Sequence, residues 1–223
     1  MKIIGHIESE LPGKFGIPRQ AGLVPELRSK LIFEPEFRNE AALRGLESFS
    51  HIWLIWDFSK AHRDEWSPTV RPPRLGGNER MGVFATRSPF RPNPIGLSCV
   101  RLLGVEKDRE NGPVLILGGA DLMDGTPVYD IKPYIVYADS RPDATAGFTA
   151  RNTDYRLEVE YLCETSGFFD DDKKAALTGI LSEDPRPHYQ DDPDRIYGFV
   201  FSGYEVKFRV EGHKLLVTGI EKA

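Results

Sequence analysis

The chain has 223 residues, of which 40 % are hydrophobic, and it carries a net charge of −5 at pH 7. This length and composition predict a globular protein with one large domain, or one domain and a smaller appendage. An acidic chain gives no general reason to expect nucleic-acid binding.

Cys99 and Cys163 form no Cys-x-x-Cys pair, which argues against a disulfide scaffold and a zinc site. The first residues lack a signal-peptide pattern and no segment reaches transmembrane length, so we expect a cytoplasmic protein with no membrane or metal partner.

The first 140 residues predict a succession of strands without repeated helical crossovers. Segments rich in apolar and β-branched residues indicate strands at 1–9, 30–37, 51–58, 81–86, 95–108 and 112–121. A tight turn at Asp124-Gly125 and a further strand-like segment follow. One helix is expected at 39–50, where Asn39 is the expected N-cap. The pattern predicts a mainly β domain, an antiparallel barrel or sandwich, over residues 1–142.

The composition changes after Ser140, where residues 141–152 have the composition of a linker. Strands are expected at 155–163 and 204–220, and between them a short helix is stopped by Pro185. These elements predict a small α+β domain at residues 153–223.

Positive charge is concentrated in one segment of this acidic chain. Between Arg71 and Ser98 five arginines face a single acid, Glu79, which gives a local balance of 5 − 1 = +4. The five are Arg71, Arg74, Arg80, Arg87 and Arg91. A strongly basic segment in an acidic chain indicates an anionic ligand that is bound at a defined place.

The segment Ala85–Ser98, with the sequence ATRSPFRPNPIGLS, is stiff as well as basic. Its three prolines fix φ and remove backbone donors, so the segment cannot be a central strand. Such a turn would hold Arg87, Arg91 and Asn93 in set directions for a planar or anionic partner. The alternative is a rigid turn whose arginines pair with carboxylates at the edge of the core.

Two further loops could likewise either bind a ligand or have no ligand-binding role. GIPRQAGLV presents Arg19 and Gln20, either to a ligand or merely to solvent. DGTPVYDIKPY has a Gly-Thr-Pro turn whose free backbone groups could meet a ligand, or it is an ordinary hairpin with an internal Asp–Lys pair. The chain contains neither a Gly-x-Gly-x-x-Gly fingerprint nor a P-loop, which argues against a dinucleotide or P-loop site.

Four long motifs occur in order: PRQAGL, GLESFSHIWLIWDF, RPPRLGGNERMGVFATRSPFRPNPIGLS and DGTPVYDIKPYIVYADS. Together they closely resemble the TsaA-like (TrmO) tRNA methyltransferases, from about Ile3 to Ser140. Further along, LSEDPRPHY is similar to the carboxy-terminal module of bacterial members. The resemblance implies a single-sheet antiparallel β-barrel that binds S-adenosylmethionine, followed by the small α+β appendage.

The resemblance also implies the activity: methylation of N6 of N6-threonylcarbamoyladenosine at position 37, beside the anticodon of threonine tRNAs, by a homodimer whose cofactor site lies close to the subunit interface. The positions that match the family's cofactor contacts are Pro18, Arg19, Gln20, Ser59, Lys60, Arg87, Leu97, Asp124, Gly125, Thr126 and Pro127. Many members have histidine where this chain has Ser59, so no histidine-specific role carries over to that position.

The chemistry of this reaction places demands on the substrate site. The sulfonium of the cofactor already makes the methyl group electrophilic, so positioning of N6 supplies most of the acceleration and no metal is required. A carboxylate near N6 would accept its proton, and Asp130 is the candidate for this catalytic role. The residues expected to contact the anticodon stem-loop of the tRNA are Arg71, Arg74, Arg80, Arg91, Asn93, Lys132 and Tyr134.

Two other functions fit the same motifs. One is a methyltransferase of the same fold that acts on another RNA or on a small molecule. The other is a non-catalytic tRNA-binding module that kept the fold and lost turnover.

Overall fold

The structure is a computed structural model, and it describes residues 1–72, 79–150, 155–186 and 192–223. The described residues are mainly β, as predicted, and they form three sheets. The strands are β1 (Gly5–Ser9), β2 (Arg28–Phe33), β3 (His51–Asp57), β4 (Thr69–Val70), β5 (Met81–Gly82), β6 (Ile95–Asp108), β7 (Gly112–Gly118), β8 (Pro127–Pro133), β9 (Glu158–Tyr161), β10 (Tyr197–Phe201), β11 (Tyr204–Glu211) and β12 (Lys214–Lys222). The α-helices are α1 (Val136–Asp139) and α2 (Asp171–Ser182).

Six strands form one sheet in the order β1-β2-β7-β6-β3-β8, and this sheet closes on itself. Closure is made by β1 and β8, which pair antiparallel through Gly5↔Val128 and His6↔Pro127. The alternation of side chains along each strand explains the interior, since every second residue of β3 points inward. Ile52, Leu54 and Trp56 are accordingly buried there with Ile7 of β1. Because the interior is filled by side chains, a ligand site can form only in the loops that connect the strands at the ends of the closed sheet.

A second sheet has the order β10-β11-β12-β9, with β12 and β9 parallel and the other pairs antiparallel. Helix α2 begins at the N-cap Asp170, whose side chain accepts a hydrogen bond from the Lys173 amide at 2.8 Å. Its buried face packs into a core that includes Leu177, Phe201 and Phe208. Within the described residues no helix is both long and apolar enough to span a membrane.

The loop between β1 and β2 contributes to the second core rather than the first. Leu11, Val24 and Leu27 are almost fully buried, and they pack with the residues of α2 and of the β10–β12 strands. The division into domains at 1–142 and 153–223 therefore stays a prediction, because hydrophobic contacts join the two parts and residues 151–154 lie outside the described part of the chain.

Several local predictions differ from the structure. The strand expected at 30–37 ends at Phe33, before a 3₁₀ turn, and the segment at 204–220 is a hairpin of β11 and β12 rather than one strand. The helix expected at 39–50 is two short 3₁₀ turns separated by Gly45, which has a φ of +88° that helical residues do not adopt. Asn39 does cap the first turn, since its side chain accepts a hydrogen bond from the Ala41 amide at 2.9 Å. The strand expected at 81–86 pairs only at Met81–Gly82 before a 3₁₀ turn. Strand β10 was not predicted, although Tyr197, Phe199 and Phe201 alternate along it and are buried, because the segment is only five residues long and contains a glycine.

Candidate functional site

A cavity of about 460 Å³ opens beside one end of the closed sheet. Five chain segments line it: the loop after β1, the end of β3 with the residues that follow, the proline-rich turn, the start of β6, and the connection from β7 to β8. This volume lies in the range of about 300–1,000 Å³ that is usual for small-molecule and cofactor sites.

Most of the cofactor-binding residues predicted from the motifs lie together in this cavity. Those in its lining are Pro18, Arg19, Gln20, Ser59, Lys60, Arg87, Leu97 and Thr126. Asp124, Gly125 and Pro127 are outside the lining; the first two lie in the turn beside it, and Pro127 begins β8. Residues that are up to about a hundred positions apart in sequence are thus brought to one surface by the antiparallel pairing of β3 with β6 and β8.

The arginines of the stiff turn line the cavity, and within the described residues neither forms an ion pair with a carboxylate, although the charge of Arg87 acts on Asp121 in the same lining. The Arg87 guanidinium donates a hydrogen bond to Gln20 Oε1, and Arg91 Nη1 donates to the Thr86 carbonyl at 3.2 Å. The Thr86 hydroxyl in turn accepts a hydrogen bond from the Ser88 amide at 3.2 Å, which holds the turn in its shape. Both arginines line the cavity, so the ligand-binding interpretation of this segment fits the geometry better than pairing with core-edge acids.

The Asp-Gly-Thr turn is anchored to β1. Asp124 Oδ1 accepts a hydrogen bond from the Ser9 amide at 3.0 Å, and the Gly125 amide donates to the Ile7 carbonyl at 2.7 Å. Thr126 is 4 % exposed, and its hydroxyl donates to the Met123 carbonyl at 2.7 Å. These bonds give Asp124 and Thr126 structural partners, and their contact with a cofactor stays a prediction.

The appendage contacts the cavity through Arg19. Arg19 Nη2 donates to the Asp184 carbonyl at 3.0 Å, and Asp184 is almost fully buried. Asp184 has a φ of +51°, and its carboxylate accepts two hydrogen bonds from Arg186, at 2.9 and 3.0 Å. A smaller cavity of about 220 Å³ lies between these residues and the loop that carries Arg19. The contact was not predicted, although the LSEDPRPHY motif contains both Asp184 and Arg186.

Three further side chains of the lining form a hydrogen-bonded network that the motifs did not reveal. Trp56 Nε1 donates to Ser98 Oγ at 3.0 Å, and the Ser98 hydroxyl donates to Asp121 Oδ1 at 2.7 Å. Burial raises the pKa of the Asp121 carboxyl, while the hydrogen bond from Ser98 acts in the opposite direction. Asp121 is the residue that sequence analysis missed, because it follows a strand end and only the fold shows that it faces a cavity.

The predicted substrate residues do not all lie at the cavity. Arg71 and Asn93 are exposed, Arg80 Nη1 donates to Thr69 Oγ1 at 3.3 Å, and Arg91 lies in the cavity lining. Arg74 lies outside the described residues. Lys132 and Tyr134 come from the far end of β8 and are absent from the lining.

Asp130 does not lie in the cavity. Its carboxylate is 2.9 Å from Lys132 Nζ and accepts a hydrogen bond from the Ile131 amide, also at 2.9 Å. It stands opposite Ile55 on β3, one position out of phase with the inward-pointing Leu54 and Trp56. The predicted catalytic role of Asp130 therefore has no support from its position.

Comparisons with known proteins identify the class to which this fold and cavity belong. Residues 6–140 match the family model for the tRNA-methyltransferase O N-terminal domain, and residues 155–223 match that for the TrmO C-terminal domain. The chain belongs to the TrmO family.

Individual relatives cover almost the whole chain. The tRNA (adenine(37)-N6)-methyltransferase of Escherichia coli is 41 % identical over 222 residues, which is 93 % of this chain and 91 % of that protein. The enzyme of the same name from Eikenella corrodens is 47 % identical over 78 % of this chain and 97 % of its own. A crystal structure of TrmO from P. aeruginosa superposes with a TM-score of 0.79 at 35 % identity and covers 99 % of this chain and 95 % of that one.

Proposed function

We propose that this protein is an S-adenosylmethionine-dependent tRNA (adenine(37)-N6)-methyltransferase, and that the base it methylates is N6-threonylcarbamoyladenosine. The observation that carries the proposal is the convergence of eight motif residues on the larger cavity, of about 460 Å³. The names of the relatives support the reaction, and the sequence motifs support the modified base. The closed six-stranded sheet is, in this proposal, the cofactor-binding barrel.

The residues present fit the proposed cofactor. The Trp56 ring and the apolar side chains of Ile95 and Leu97 offer surface for an adenine ring. The cationic groups of Arg19 and Arg87 suit the carboxylate of the methionine moiety. When bound, the cofactor supplies an electrophilic methyl group; the protein positions the attacking nitrogen and excludes water.

A surface for the tRNA continues from the cavity. Trp66 and Phe84 are 50 % and 70 % exposed, and their rings stack with centroids 5.9 Å apart. The Arg91 guanidinium lies 5.9 Å from the Phe84 centroid, and Arg63 lies 3.7 Å over the Phe90 ring. Exposed aromatic rings beside arginines are suited to unstacked bases and phosphates of a single-stranded loop. This surface supports binding of the anticodon loop.

Replacing Phe84 with alanine is expected to raise the Kd for the tRNA roughly 5- to 150-fold, because base–aromatic stacking contributes about 1–3 kcal/mol per base. Fluorescence anisotropy with a labelled anticodon stem-loop measures the change. Phe49→Ala, which removes a 36 % exposed ring after the second 3₁₀ turn, serves as the matched control. Equal affinities for the two variants, or an affinity of the wild type that does not fall with salt, would contradict this surface.

Assembly and location belong to the same proposal. An apolar patch on α1, where Val136 and Tyr137 are 73 % and 89 % exposed, offers a contact for a second copy in a homodimer. We place the protein in the cytoplasm, where tRNA is modified, and divide it into domains at 1–142 and 153–223.

Nucleoside mass spectrometry tests the function directly. Bulk tRNA that lacks the methylated nucleoside is incubated with the protein and S-adenosylmethionine, and the proposal expects N6-threonylcarbamoyladenosine to gain one methyl group. Arg87→Ala should lower the initial rate at limiting cofactor roughly tenfold or more, because a hydrogen bond from a charged group contributes about 1.5–3 kcal/mol. Arg109→Ala, at the exposed β6–β7 turn, should leave it unchanged. Methylation of a different nucleoside would support the same-fold alternative, and tRNA binding without product would support the binding module.

A further inference from the structure

Two carboxylates occur among the described residues that line the large cavity, and their surroundings differ. Asp57 accepts hydrogen bonds from His62 Nε2 at 2.8 and 3.0 Å. Asp121 is partly buried and has the Ser98 hydroxyl as its side-chain donor, at 2.7 Å. Asp57 is thus already hydrogen-bonded to an imidazole, whereas the side-chain donor to Asp121 is a hydroxyl.

The Ser98 network orients Asp121. Ser98 is 3 % exposed, and its oxygen accepts from Trp56 Nε1, so its single proton is directed to Asp121. The Trp56 indole is itself packed against the Phe58 ring, with centroids 4.2 Å apart. One oxygen of the Asp121 carboxylate is therefore fixed by a rigid, buried donor, which sets the direction of the other.

Apolar surroundings and the charges nearby determine the basicity of this carboxylate. Burial raises the pKa of Asp121, and the hydrogen bonds from Ser98 and the Ala21 amide and the charge of Arg87 lower it. A carboxylate whose pKa lies above the ordinary value is a better proton acceptor than one at the surface. The charged side chains that line the cavity with it are Lys14, Arg19, Asp57, Lys60, Arg87 and Arg91.

We propose that Asp121 is the general base of the reaction and that Ser98 is its positioning residue. The inference rests on the proposed function, since it assigns the group that accepts the proton of the substrate N6–H. As the bond from N6 to the methyl carbon forms, the bond from that carbon to sulfur breaks and its electron pair stays on sulfur. The N6 proton passes to the Asp121 carboxylate. Charge balances, because a sulfonium and a carboxylate become a neutral thioether and a neutral carboxylic acid, which afterwards releases its proton to solvent.

The first test is the pH dependence of single-turnover methylation of the threonylcarbamoylated tRNA. The wild-type rate should fall as the pH falls through the pKa of Asp121, because only the carboxylate accepts a proton. Asp121→Asn should lower the rate constant roughly 10²- to 10⁴-fold and remove this acid limb. Ser98→Ala removes a donor that lowers the pKa of Asp121, so its acid limb should move to higher pH. Asp143→Asn, an exposed carboxylate with no contact to the cavity, is the matched control.

The second test needs no turnover. In the cofactor-free protein, the ¹³Cγ chemical shift of Asp121 should titrate above the usual range of aspartates, and it should do so at still higher pH in Ser98→Ala. Calorimetry should give Asp121→Asn a Kd for S-adenosylmethionine within about threefold of the wild type, because a base for N6 contributes to turnover rather than to cofactor affinity.

Each outcome decides between the alternatives. A wild-type rate in Asp121→Asn overturns the proposal, and so does loss of cofactor binding, which would make Asp121 a cofactor ligand. Loss of turnover in Asp130→Asn with an active Asp121→Asn would transfer the role to Asp130. If the wild type methylates no threonylcarbamoylated tRNA, the proposed function fails; if it does and Asp121→Asn does so equally well, only the assignment of the base fails.

Discussion

Replacing Arg186 with alanine is expected to lower the free energy of unfolding by about 3 kcal/mol. Arg186 holds the Asp184 carboxylate through two hydrogen bonds, and the two side chains are only 9 % and 3 % exposed. Removing the guanidinium takes two charge-assisted hydrogen bonds from a buried carboxylate, and breaking comparable buried pairs costs about 3–5 kcal/mol. The lower end applies because the Tyr155 hydroxyl still donates to Asp184, at 3.3 Å.

Denaturant unfolding at pH 7 measures this change. Lys107→Ala is the matched control, because it breaks an ion pair with Glu40 whose side chains are 80 % and 67 % exposed. Exposed pairs contribute at most about 1 kcal/mol. Equal effects of the two substitutions would show that burial does not strengthen the Arg186 pair. Since Arg19 donates to the Asp184 carbonyl, cofactor affinity should also fall in Arg186→Ala and stay unchanged in Lys107→Ala.

Replacing Gly96 with alanine is expected to damage both stability and the cavity. A Cβ atom at this position would lie 2.1 Å from Trp56 Cε2, closer than real Cβ contacts allow. The Trp56 ring would have to move, which costs roughly 1–3 kcal/mol of stability as overpacking in other cores does. The displacement would also break the hydrogen bond from Trp56 Nε1 to Ser98.

The matched control lies on the same strand. A Cβ atom added at Gly104 of β6 would meet no other atom within 4 Å, so Gly104→Ala should leave stability unchanged or raise it by up to about 1 kcal/mol. Thermal unfolding and calorimetric titration with S-adenosylmethionine measure both effects. A Gly96→Ala variant with wild-type stability and cofactor affinity would mean that Trp56 can move without consequence for the cavity.

The predicted and observed strands show which parts of the fold local sequence can predict. β3 and β6 were predicted within one or two residues because both are runs rich in strand-forming apolar residues. The segment at 81–86 has similar composition, but it pairs with only two residues of β4 and then turns. Composition reports that a segment can form a strand; pairing also requires a neighbouring strand, which local sequence does not contain.

Some of the predicted site residues line the cavity and others do not. Arg87 and Leu97 lie in recognisable motifs and do line the cavity. Asp130 lies in an equally recognisable motif but points away from it, because side chains alternate along β8 and neighbouring positions face opposite sides of the sheet. Asp121 faces the cavity, although the sequence pattern marks it only as the last residue of an expected strand.

The sequence by itself determined the mainly β class, the family, and the loops in which ligand-binding residues occur, because strand periodicity, turn chemistry and motif order are local properties of the chain. The tertiary structure alone decided which side of each strand meets the cavity, that the Trp56–Ser98–Asp121 network exists, and that Asp184 of the appendage holds Arg19. These contacts join residues 42, 23 and 165 positions apart. Their geometry depends on strand register and on packing between the two cores, which no local pattern specifies.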